Sequence, residues 1–303
     1  MTNKSYTVCD RQQTAHLIDF PSLVAAIETA ASEYAAGEII SPERMVVPLP
    51  RSGVMLSMPA VAADIAAHKL VCVHPENKMA TLPTIHGQVS VSDSSTGQPL
   101  FILNGPEVTG RRTAAVSMLG IRTLMPGAPG KILLIGTGTQ ADYHLKAIAA
   151  LFPETEVRVR GRTTASATEF CIRHSGEHSR LGVETPGEES DVVITLTTSL
   201  SAVYNEPPAL HKLIIGVGAF RPEMAEIGST TLSSSLICVD DPAGAKHEAG
   251  DLIQADINWE NVVSLADVLN GKATVSGPVV FKTVGTGAWD LAACRVAYKN
   301  LGI

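Results

Sequence analysis

The chain has 303 residues, of which 45% are hydrophobic, 17% charged and 4% aromatic, and its formal net charge is −7. This length suits two domains, or one domain with a large insertion. The negative charge and the few aromatic residues argue against nucleic acid or an anionic membrane as a partner, because such proteins need a basic surface or stacking groups.

The first predicted elements are a helix, a group of short strands and a second helix. Residues 19–37 place apolar side chains at three- and four-residue steps between Pro21 and Gly37, which predicts an amphipathic helix. Between 44 and 103, turn residues separate β-rich runs that predict a mostly antiparallel sheet: RMVVPLP, VMLSMP, KLVCVH, GQVSVSD and PLFILN. The segment VTGRRTAAVSMLGIRTL predicts a helix that begins near Thr109.

After Pro126 and Pro129, apolar strands alternate with helical segments. The predicted strands lie in KILLIG, EVRVRG, DVVITLT, KLIIGVG, LICVDD and VVSLADVL. Such alternation is typical of a parallel sheet covered on both faces. We therefore predict an α/β protein with a parallel-sheet domain at residues 119–287. The remaining α+β domain spans residues 1–118, and the C-terminal helix at 288–303 completes it.

The stretch LLIGTGTQA contains a glycine turn of the form Gly-x-Gly-x-x-Ala, with Gly136, Gly138 and Ala141. Gly136 permits a tight turn and Gly138 lets the backbone approach a pyrophosphate, towards which the helix predicted from near Gln140 directs its amide groups. An ordinary strand-to-helix turn would use the same glycines. The strand before, the helix after and a second strand about twenty residues further on favour a Rossmann dinucleotide-binding domain.

The second strand of that domain ends in EVRVRGRT, without the acidic residue that binds the adenosine ribose of NAD. Arg162 at this position suits a 2′-phosphate, with Thr163 and also Arg160 beside it. The sequence therefore favours NADPH, with NADH as the second possibility. The alternative is that these arginines form a solvated strand edge.

Cations near apolar strands are the other chemical signal: Arg44, Lys69 and the pair Arg111 and Arg112. If they converge on a cleft, they form a clamp for a carboxylate, in which an arginine fixes the plane of the substrate. Each is otherwise a surface charge. Covalent acyl transfer is not indicated, because the chain has no Gly-x-Ser-x-Gly motif and no diagnostic spacing of cysteine and histidine.

The sequence shows no targeting or metal-binding pattern. The segment MTNKSYTVCD lacks the apolar run of a signal peptide, and no stretch of about 18 apolar residues occurs, so we expect a cytoplasmic protein. The five cysteines include no Cys-x-x-Cys pair and the nine histidines no His-x-x-x-His pattern. We therefore expect buried free thiols and no metal.

Nine stretches occur in a specific order over nearly the whole chain: PERMVVPL, KLVCVHPEN, VSDSSTGQPL, TGRRTAAVS, LLIGTGTQA, RVRGRT, DVVITLTTS, IIGVGAFRPEMAEI and FKTVGTGAWDLA. In this order and spacing the chain resembles the ornithine cyclodeaminase and mu-crystallin family. The resemblance implies a homodimer whose α+β domain carries the substrate site and the dimer contacts. It also implies that this domain is joined to a Rossmann domain, with the C-terminal helix crossing back.

The resemblance also implies roles for individual residues. Arg44, Lys69 and Arg112 correspond to residues that hold the substrate carboxylate and orient its reacting carbon. Arg162 and Thr163 resemble the Asn-Arg-Thr of NADP-using members, with Gly161 in place of the Asn. The remaining implied cofactor positions are the pyrophosphate turn and residues that line the cofactor: Gly136, Thr137, Gly138, Gln140, Ala141, Thr84, Arg112, Thr113, Thr197, Val217 and Gly218.

One position departs from the cyclodeaminase pattern. After the fourth Rossmann strand, cyclodeaminases carry Gly-Gly-Asp or Gly-Ala-Asp, and that aspartate is the acid/base of deamination and ring closure. This chain has VGAFRPEM, with Phe220 at that position, and a phenyl ring cannot transfer a proton. The chain therefore resembles the ketimine-reducing members. They use NAD(P)H to reduce Δ1-pyrroline-2-carboxylate or Δ1-piperideine-2-carboxylate to L-proline or L-pipecolate.

Alternatives remain at this point. The chain could instead be an ornithine cyclodeaminase, an amino-acid dehydrogenase acting for example on alanine, or a non-catalytic binding protein like mu-crystallin. The presence of Arg44, Lys69 and Arg112 argues against a non-catalytic protein. His86 is either a proton donor in the cleft or a satisfied strand histidine. The size of the substrate ring depends on the residues that line the cleft, for which the candidates are Met55, Met58, Phe220 and Trp289.

Overall fold

The computed structural model describes residues 6–303, and residues 1–5, which open the segment searched for a signal peptide, lie outside the described part. The strands are β1 (Thr7–Val8), β2 (Met45–Leu49), β3 (Gly53–Val61), β4 (Ile65–Val73), β5 (Ile85–Asp93), β6 (Pro99–Asn104), β7 (Lys131–Ile135), β8 (Glu156–Arg160), β9 (Leu181–Val183), β10 (Val192–Thr195), β11 (Leu200–Tyr204), β12 (Leu213–Gly216), β13 (Ala225–Ile227), β14 (Leu236–Val239), β15 (Val263–Ser264) and β16 (Val279–Lys282). The helices are α1 (Arg11–Leu17), α2 (Phe20–Ala35), α3 (Gly105–Leu124), α4 (Thr139–Leu151), α5 (Thr164–Arg173), α6 (Ser229–Leu232), α7 (Pro242–Glu248), α8 (Gly250–Gln254), α9 (Leu265–Leu269) and α10 (Gly287–Leu301).

The chain divides into two compact units. The first is formed by the chain up to Arg112 together with Thr286–Ile303, and the second by Thr113–Gly285. The first unit contains a six-stranded sheet in the order β1-β6-β5-β4-β3-β2, in which only the β1–β6 pair is parallel. The prediction of a mostly antiparallel sheet is therefore confirmed.

Alternation along β4 explains how this sheet packs. Ile65, Ala67, Lys69 and Val71 are buried, whereas the residues between them are half-buried or exposed. Successive side chains of a strand point to opposite faces. One face of the sheet therefore forms a core, and α10 packs against β3, β4 and α2 on it.

The second unit is built on an eight-stranded, wholly parallel sheet in the order β15-β14-β16-β12-β10-β7-β8-β9. Two of its inner strands, β10 and β12, are buried along their whole length, as a sheet covered on both faces requires. The chain runs outward from β7 through β8 to β9 and then returns to the other side of β7 as β10. This reversal is the switch point of a Rossmann-type fold, so the predicted fold class is confirmed.

The structure differs from the sequence predictions in several boundaries. The units divide after Arg112, inside α3, whereas the sequence placed the boundary after residue 118; at the other end they divide at Thr286 instead of 288. Helix α3 begins at Gly105, four residues before Thr109, because the Asn104 side chain accepts the Glu107 N–H at 3.0 Å and caps the helix there.

Several elements of the chain were misassigned or missed, among them β15, α1 and β16. The segment VVSLADVL contains only the two-residue β15, because the Ser264 hydroxyl accepts the Asp267 N–H at 3.0 Å and starts α9. Helix α1 was not predicted, although Asp10 caps it through the Gln13 N–H. Strand β16 was also missed, although it lies between β12 and β14 in the sheet.

Within residues 6–303, no helix is both long and apolar enough to cross a bilayer. In the same range, no three His, Cys, Asp or Glu side chains are grouped as the ligands of a metal ion would be. The five cysteines are free thiols, three of them buried.

Candidate active site

In the first unit, three side chains from distant parts of the chain meet in the core. Lys69 on β4 places its Nζ 2.6 Å from Oδ2 of Asp290 on α10. Arg112 on α3 donates from Nε to the other carboxylate oxygen, Oδ1, at 3.2 Å. The side chains of Lys69, Arg112 and Asp290 are 2%, 7% and 1% exposed. Two of the predicted cations therefore share one buried carboxylate.

The surroundings of Lys69 lower its pKa from 10.5 to about 8. Burial is the largest cause, because it penalises the charged ammonium form. Asp290 opposes this effect, whereas the positive charges of Arg112 and Arg44 add to it. Arg44 is half-buried directly before β2, and its influence on Lys69 adds it to the cluster. Lys69 and Arg112 thus bring two positive charges to the carboxylate of Asp290, an excess that suits a bound anion.

The antiparallel register decides which side chain accompanies Lys69 on the sheet. Met58 on β3 is paired with Lys69 on β4. Directly paired residues point to the same face. The buried Met58 therefore lies beside the lysine, where an apolar part of a ligand would contact it.

His86 is not brought to the cluster. Strand β5 pairs Val89 with Lys69, whereas His86 pairs with Cys72, which is three residues further along β4. An odd separation places two strand residues on opposite faces. The exposed His86 therefore lies on the other face of the sheet from Lys69.

Two other residues considered from the sequence make structural contacts. Arg111 donates from Nε to Glu107 at 2.8 Å, and its guanidinium lies over the Phe20 ring at 4.9 Å. Trp289 is buried and packs edge-on against Tyr34, with ring centroids 6.2 Å apart. These contacts account for both residues without a ligand.

The glycine turn lies in the second unit, between β7 and α4. Gly136 has φ +129°, and a Cβ there would lie 2.8 Å from the Leu196 carbonyl oxygen, so only glycine fits. A Cβ at Gly138 would meet no atom within 4 Å, which leaves open space above the start of α4. No side chain caps this helix. These features suit the pyrophosphate of a dinucleotide.

The side chains around the first turn of α4 complete this arrangement. Ala141 is fully buried, as close packing of the helix on the sheet requires, and Thr137 lies half-buried within the turn. The buried Oε1 of Gln140 has no hydrogen-bond partner among residues 6–303. Because buried polar atoms are nearly always paired, this acceptor suits a bound group that donates a hydrogen bond, which an ionised pyrophosphate does not do.

His144 holds the backbone of Gln140 in place. Its Nδ1 lies 2.8 Å from the Gln140 carbonyl oxygen, and its Nε2 lies 2.9 Å from the hydroxyl of Ser117 on α3. Burial lowers the pKa of His144 to about 4, so the ring is neutral at pH 7. A neutral ring with its proton on Nδ1 donates to the carbonyl and accepts from the hydroxyl, which satisfies both nitrogens.

Arg160 and Arg162, at the end of β8, have different surroundings, although the sequence analysis proposed both for a 2′-phosphate. Arg160 forms a two-bond ion pair with Glu184, at 2.6 and 2.5 Å, so its charge is already matched. Arg162 is exposed and has no ion-pair or hydrogen-bond partner within residues 6–303. Thr163 caps α5 by accepting the Ser166 N–H. A Cβ at Gly161 would lie 2.3 Å from the Ser166 hydroxyl, so that serine occupies the space of a larger residue.

On the other side of β7, the loops after β10 and β12 carry Thr197, Val217 and Gly218. The Thr197 N–H donates to Oε1 of Glu226 at 2.5 Å, and the Gly218 N–H donates to Oε2 at 2.6 Å. Val217 is buried, and Phe220, two residues beyond Gly218, is 37% exposed. The structure thus brings Thr197 and Gly218 together on one carboxylate.

The last two implied cofactor residues lie apart from these loops in the chain. Thr84 is half-buried directly before β5 in the first unit. Thr113 is buried within α3, at the start of the second unit.

Sequence reasoning missed two functional candidates, Asp290 and Glu226. Asp290 is surrounded in AWDLAAC by apolar and small residues, and an acid in such a helical stretch is a signal of a buried ion pair. Glu226 follows the apolar pair of MAEI in the same way. A search for isolated acids within apolar runs would have found both.

Known proteins resemble this chain over almost its full length. The model of the ornithine cyclodeaminase/mu-crystallin family matches residues 5–302. The chain is 54% identical over 296 residues to Δ1-pyrroline-2-carboxylate reductase 2 of Burkholderia ambifaria, covering 96% of this chain and 95% of that protein. It is also 54% identical to the Δ1-pyrroline-2-carboxylate/Δ1-piperideine-2-carboxylate reductase of Azospirillum brasilense, covering 97% and 96%.

A solved structure shares the fold. The Δ1-pyrroline-2-carboxylate reductase of Thermococcus litoralis, in complex with NADH and L-proline, superimposes with a TM-score of 0.89 at 24% identity. The match covers 97% of each chain.

Proposed function

Because the chain belongs to the ornithine cyclodeaminase/mu-crystallin family, we propose that it reduces cyclic 2-imino carboxylates with NAD(P)H. The substrates are Δ1-pyrroline-2-carboxylate and Δ1-piperideine-2-carboxylate, and the products are L-proline and L-pipecolate. The observation that carries the proposal is the buried cluster in which Lys69 and Arg112 share the carboxylate of Asp290, since its excess positive charge suits a substrate carboxylate. The 54% identity to two reductases named for these imino acids supports the same substrate class.

The bound nicotinamide cofactor supplies the hydride, and the protein supplies binding, orientation and a proton. Arg44 and Arg112 hold the substrate carboxylate, which fixes the plane of the imine. Met58 contacts the apolar ring beside Lys69. Phe220 stands where a cyclodeaminase carries its aspartate, so the site lacks that acid/base for ring closure.

Lys69 is the proton source in this proposal. Reduction of C=N adds one hydride to carbon and one proton to nitrogen, and a protonated imine accepts hydride more readily. A pKa of about 8 keeps Lys69 mostly protonated at pH 7 and still allows it to give up the proton, as an efficient general acid requires. Asp290 stabilises the charged form and orients the ammonium group.

NADPH is the cofactor that we propose, with NADH also accepted. The exposed Arg162 lies two residues after the end of β8, where the adenosine ribose is bound in this fold, and a guanidinium there pairs with a 2′-phosphate. Arg160 contributes less, because Glu184 neutralises it. The ratio of kcat/KM with NADPH to that with NADH measures this preference.

We also propose a cytoplasmic homodimer. Strand β2 is the edge of the first unit's sheet and exposes Met45 and Val46, and a second copy of the chain would cover such an edge. Free thiols such as Cys238 and Cys294, whose pKa burial raises, suit a reducing compartment. Light scattering during gel filtration tests the dimer through a mass twice that of the chain.

Absorbance at 340 nm tests the reaction directly. The purified protein is given NADPH or NADH with each cyclic imino acid, and pyruvate plus ammonia and L-ornithine serve as parallel substrates. We expect rapid oxidation with one or both imino acids and slow or no turnover of the others. Turnover of ornithine to proline and ammonia instead would identify a cyclodeaminase, and no turnover in any assay would favour a binding protein.

A further inference from the structure

Glu226, on β13, is fully buried and accepts hydrogen bonds from two separate loops. Its Oε1 accepts the N–H of Thr197, at 2.5 Å, in the loop after β10. Its Oε2 accepts the N–H groups of Gly218 and Ala219, at 2.6 and 3.2 Å, in the loop after β12. Oε2 also accepts the hydroxyl of Thr195 at 2.9 Å. One carboxylate therefore joins the carboxyl ends of two neighbouring strands of the sheet.

A second buried group holds Glu226 from behind. Oδ1 of Asp251 accepts the backbone N–H groups of Glu226 and Ile227. The Nζ of Lys282, at the end of β16, lies 3.1 Å from Oδ2 of the same aspartate, and both side chains are fully buried. The backbone of Glu226 is thus fixed to β16 and α8, so its side chain keeps one position relative to the sheet.

The two loops that Glu226 joins are in direct contact. A Cβ at Gly218 would lie 1.9 Å from the Thr197 carbonyl oxygen and 2.7 Å from Oε1 of Glu226. The backbones therefore approach as closely as glycine permits. Loss of the carboxylate would leave buried N–H groups unpaired and let the loops separate.

The position of these loops in the sheet indicates which part of a dinucleotide they serve. Arg162, on the adenosine side, follows β8, and the glycine turn follows β7. Strands β10 and β12 lie on the opposite side of β7 from β8. A dinucleotide that lies across the switch point therefore places its nicotinamide half over the loops after β10 and β12.

We propose that Glu226 is a positioning residue that fixes the loops of Thr197 and Gly218 at the spacing required by the nicotinamide half of the cofactor. The proposal rests on the dinucleotide binding of the proposed function. It assigns Glu226 no proton transfer and no contact with the substrate. Its consequence is that changes at Glu226 affect the nicotinamide half of the ligand and spare the adenosine half.

The test is Glu226→Gln, which keeps the shape of the side chain and replaces one acceptor oxygen by an amide donor. That donor faces either the Thr197 N–H or the Gly218 N–H, so one loop is released. Isothermal titration calorimetry gives the Kd of NADPH and that of an adenosine fragment, either 2′,5′-ADP or ADP, whichever binds the unaltered protein. We expect the Kd of NADPH to rise by about 10-fold or more, and that of the fragment to change less than about 2-fold.

Two controls accompany this variant. Glu223→Gln makes the same chemical change three residues away at an exposed side chain, and we expect it to leave both Kd values unchanged. Thr195→Val removes a single hydrogen bond to Glu226 and keeps the carboxylate, so it tests the proposal if Glu226→Gln does not fold. We expect a smaller rise, about 2- to 5-fold, in the Kd of NADPH alone.

The possible outcomes distinguish the role of Glu226 from the proposed function. Equal weakening of NADPH and the fragment, or no change in either variant, would overturn the role of Glu226. Failure of the unaltered protein to bind NADPH and NADH would overturn the proposed function itself.

Discussion

Replacement of Asp290 by asparagine tests the role of Lys69 as a titrating proton donor. The substitution keeps the shape of the side chain and removes the carboxylate charge that lies 2.6 Å from the Nζ of Lys69. Removal of one partner from a buried ion pair costs about 3 to 5 kcal/mol. At about 1.4 kcal/mol per pKa unit, this corresponds to a fall of about 2 to 4 units in the pKa of Lys69.

The expected effect on catalysis follows from this shift. With a pKa of about 8, Lys69 is protonated in roughly nine-tenths of the molecules at pH 7. With a pKa of about 6, roughly one-tenth would be protonated, so kcat/KM at pH 7 should fall about 10-fold from this cause alone. The protonated lysine is the active form, so activity falls as the pH rises through the pKa of Lys69. In the variant this fall should begin at a lower pH than in the unaltered protein.

The assay is the pH profile of kcat/KM for reduction of Δ1-pyrroline-2-carboxylate between pH 5.5 and 9.5. Titration of the imine itself is common to all variants, so the difference between profiles reports the enzyme. Asp64→Asn is the matched control, because Asp64 forms an ion pair with Arg295 in the same unit outside the cluster. A profile of Asp290→Asn that is lower but not displaced along the pH axis would refute Lys69 as the titrating group.

The remaining predictions concern binding of the carboxylate and the cofactor. Arg112→Ala should lower kcat/KM by about 30- to 5,000-fold, the equivalent of about 2 to 5 kcal/mol for a truncated buried charge pair; near-normal turnover would contradict the clamp. Arg162→Ala should lower kcat/KM with NADPH about 10-fold or more and leave that with NADH nearly unchanged, and a parallel loss with both would argue against a 2′-phosphate contact. Gly136→Ala should weaken both cofactors in calorimetric titrations, because its Cβ would lie 2.8 Å from the Leu196 carbonyl oxygen; unchanged affinity would argue against the tight turn.

The regular parts of the fold were predictable because each long element has a strong local pattern. The predicted strand KILLIG and the helix at 19–37 agree with β7 and with α2, which Asp19 caps. Strand β16 was not predictable in the same way, since VVFK is four residues long and follows Gly277 and Pro278 in a region of turn residues. Its place in the sheet is decided by pairing with β12 and β14, which are distant in sequence.

In the candidate site, too, residue types were predictable from the local sequence, whereas contacts between residues far apart in the chain were not. Arg44, Lys69 and Arg112 were identifiable as cations near apolar segments, but the carboxylate that Lys69 and Arg112 share was not. Asp290 is 178 residues from Arg112 in the chain, and only the packing of α10 brings them together. The side of the sheet on which His86 lies was not predictable for a related reason, because the face of a strand on which a residue lies depends on register with its neighbours.

The return of the chain to the first unit through α10 has a consequence for biosynthesis. Residues 113–285 are contiguous, so the second unit has its whole sequence before α10 is translated. Until then, the buried face of the first sheet has no α10 to cover it, and Lys69 has no Asp290. A chain that ends before α10 would therefore keep the whole sequence of the second unit but leave the sheet of the first unit uncovered and prone to aggregation. Sensitivity to C-terminal truncation should therefore concentrate in α10.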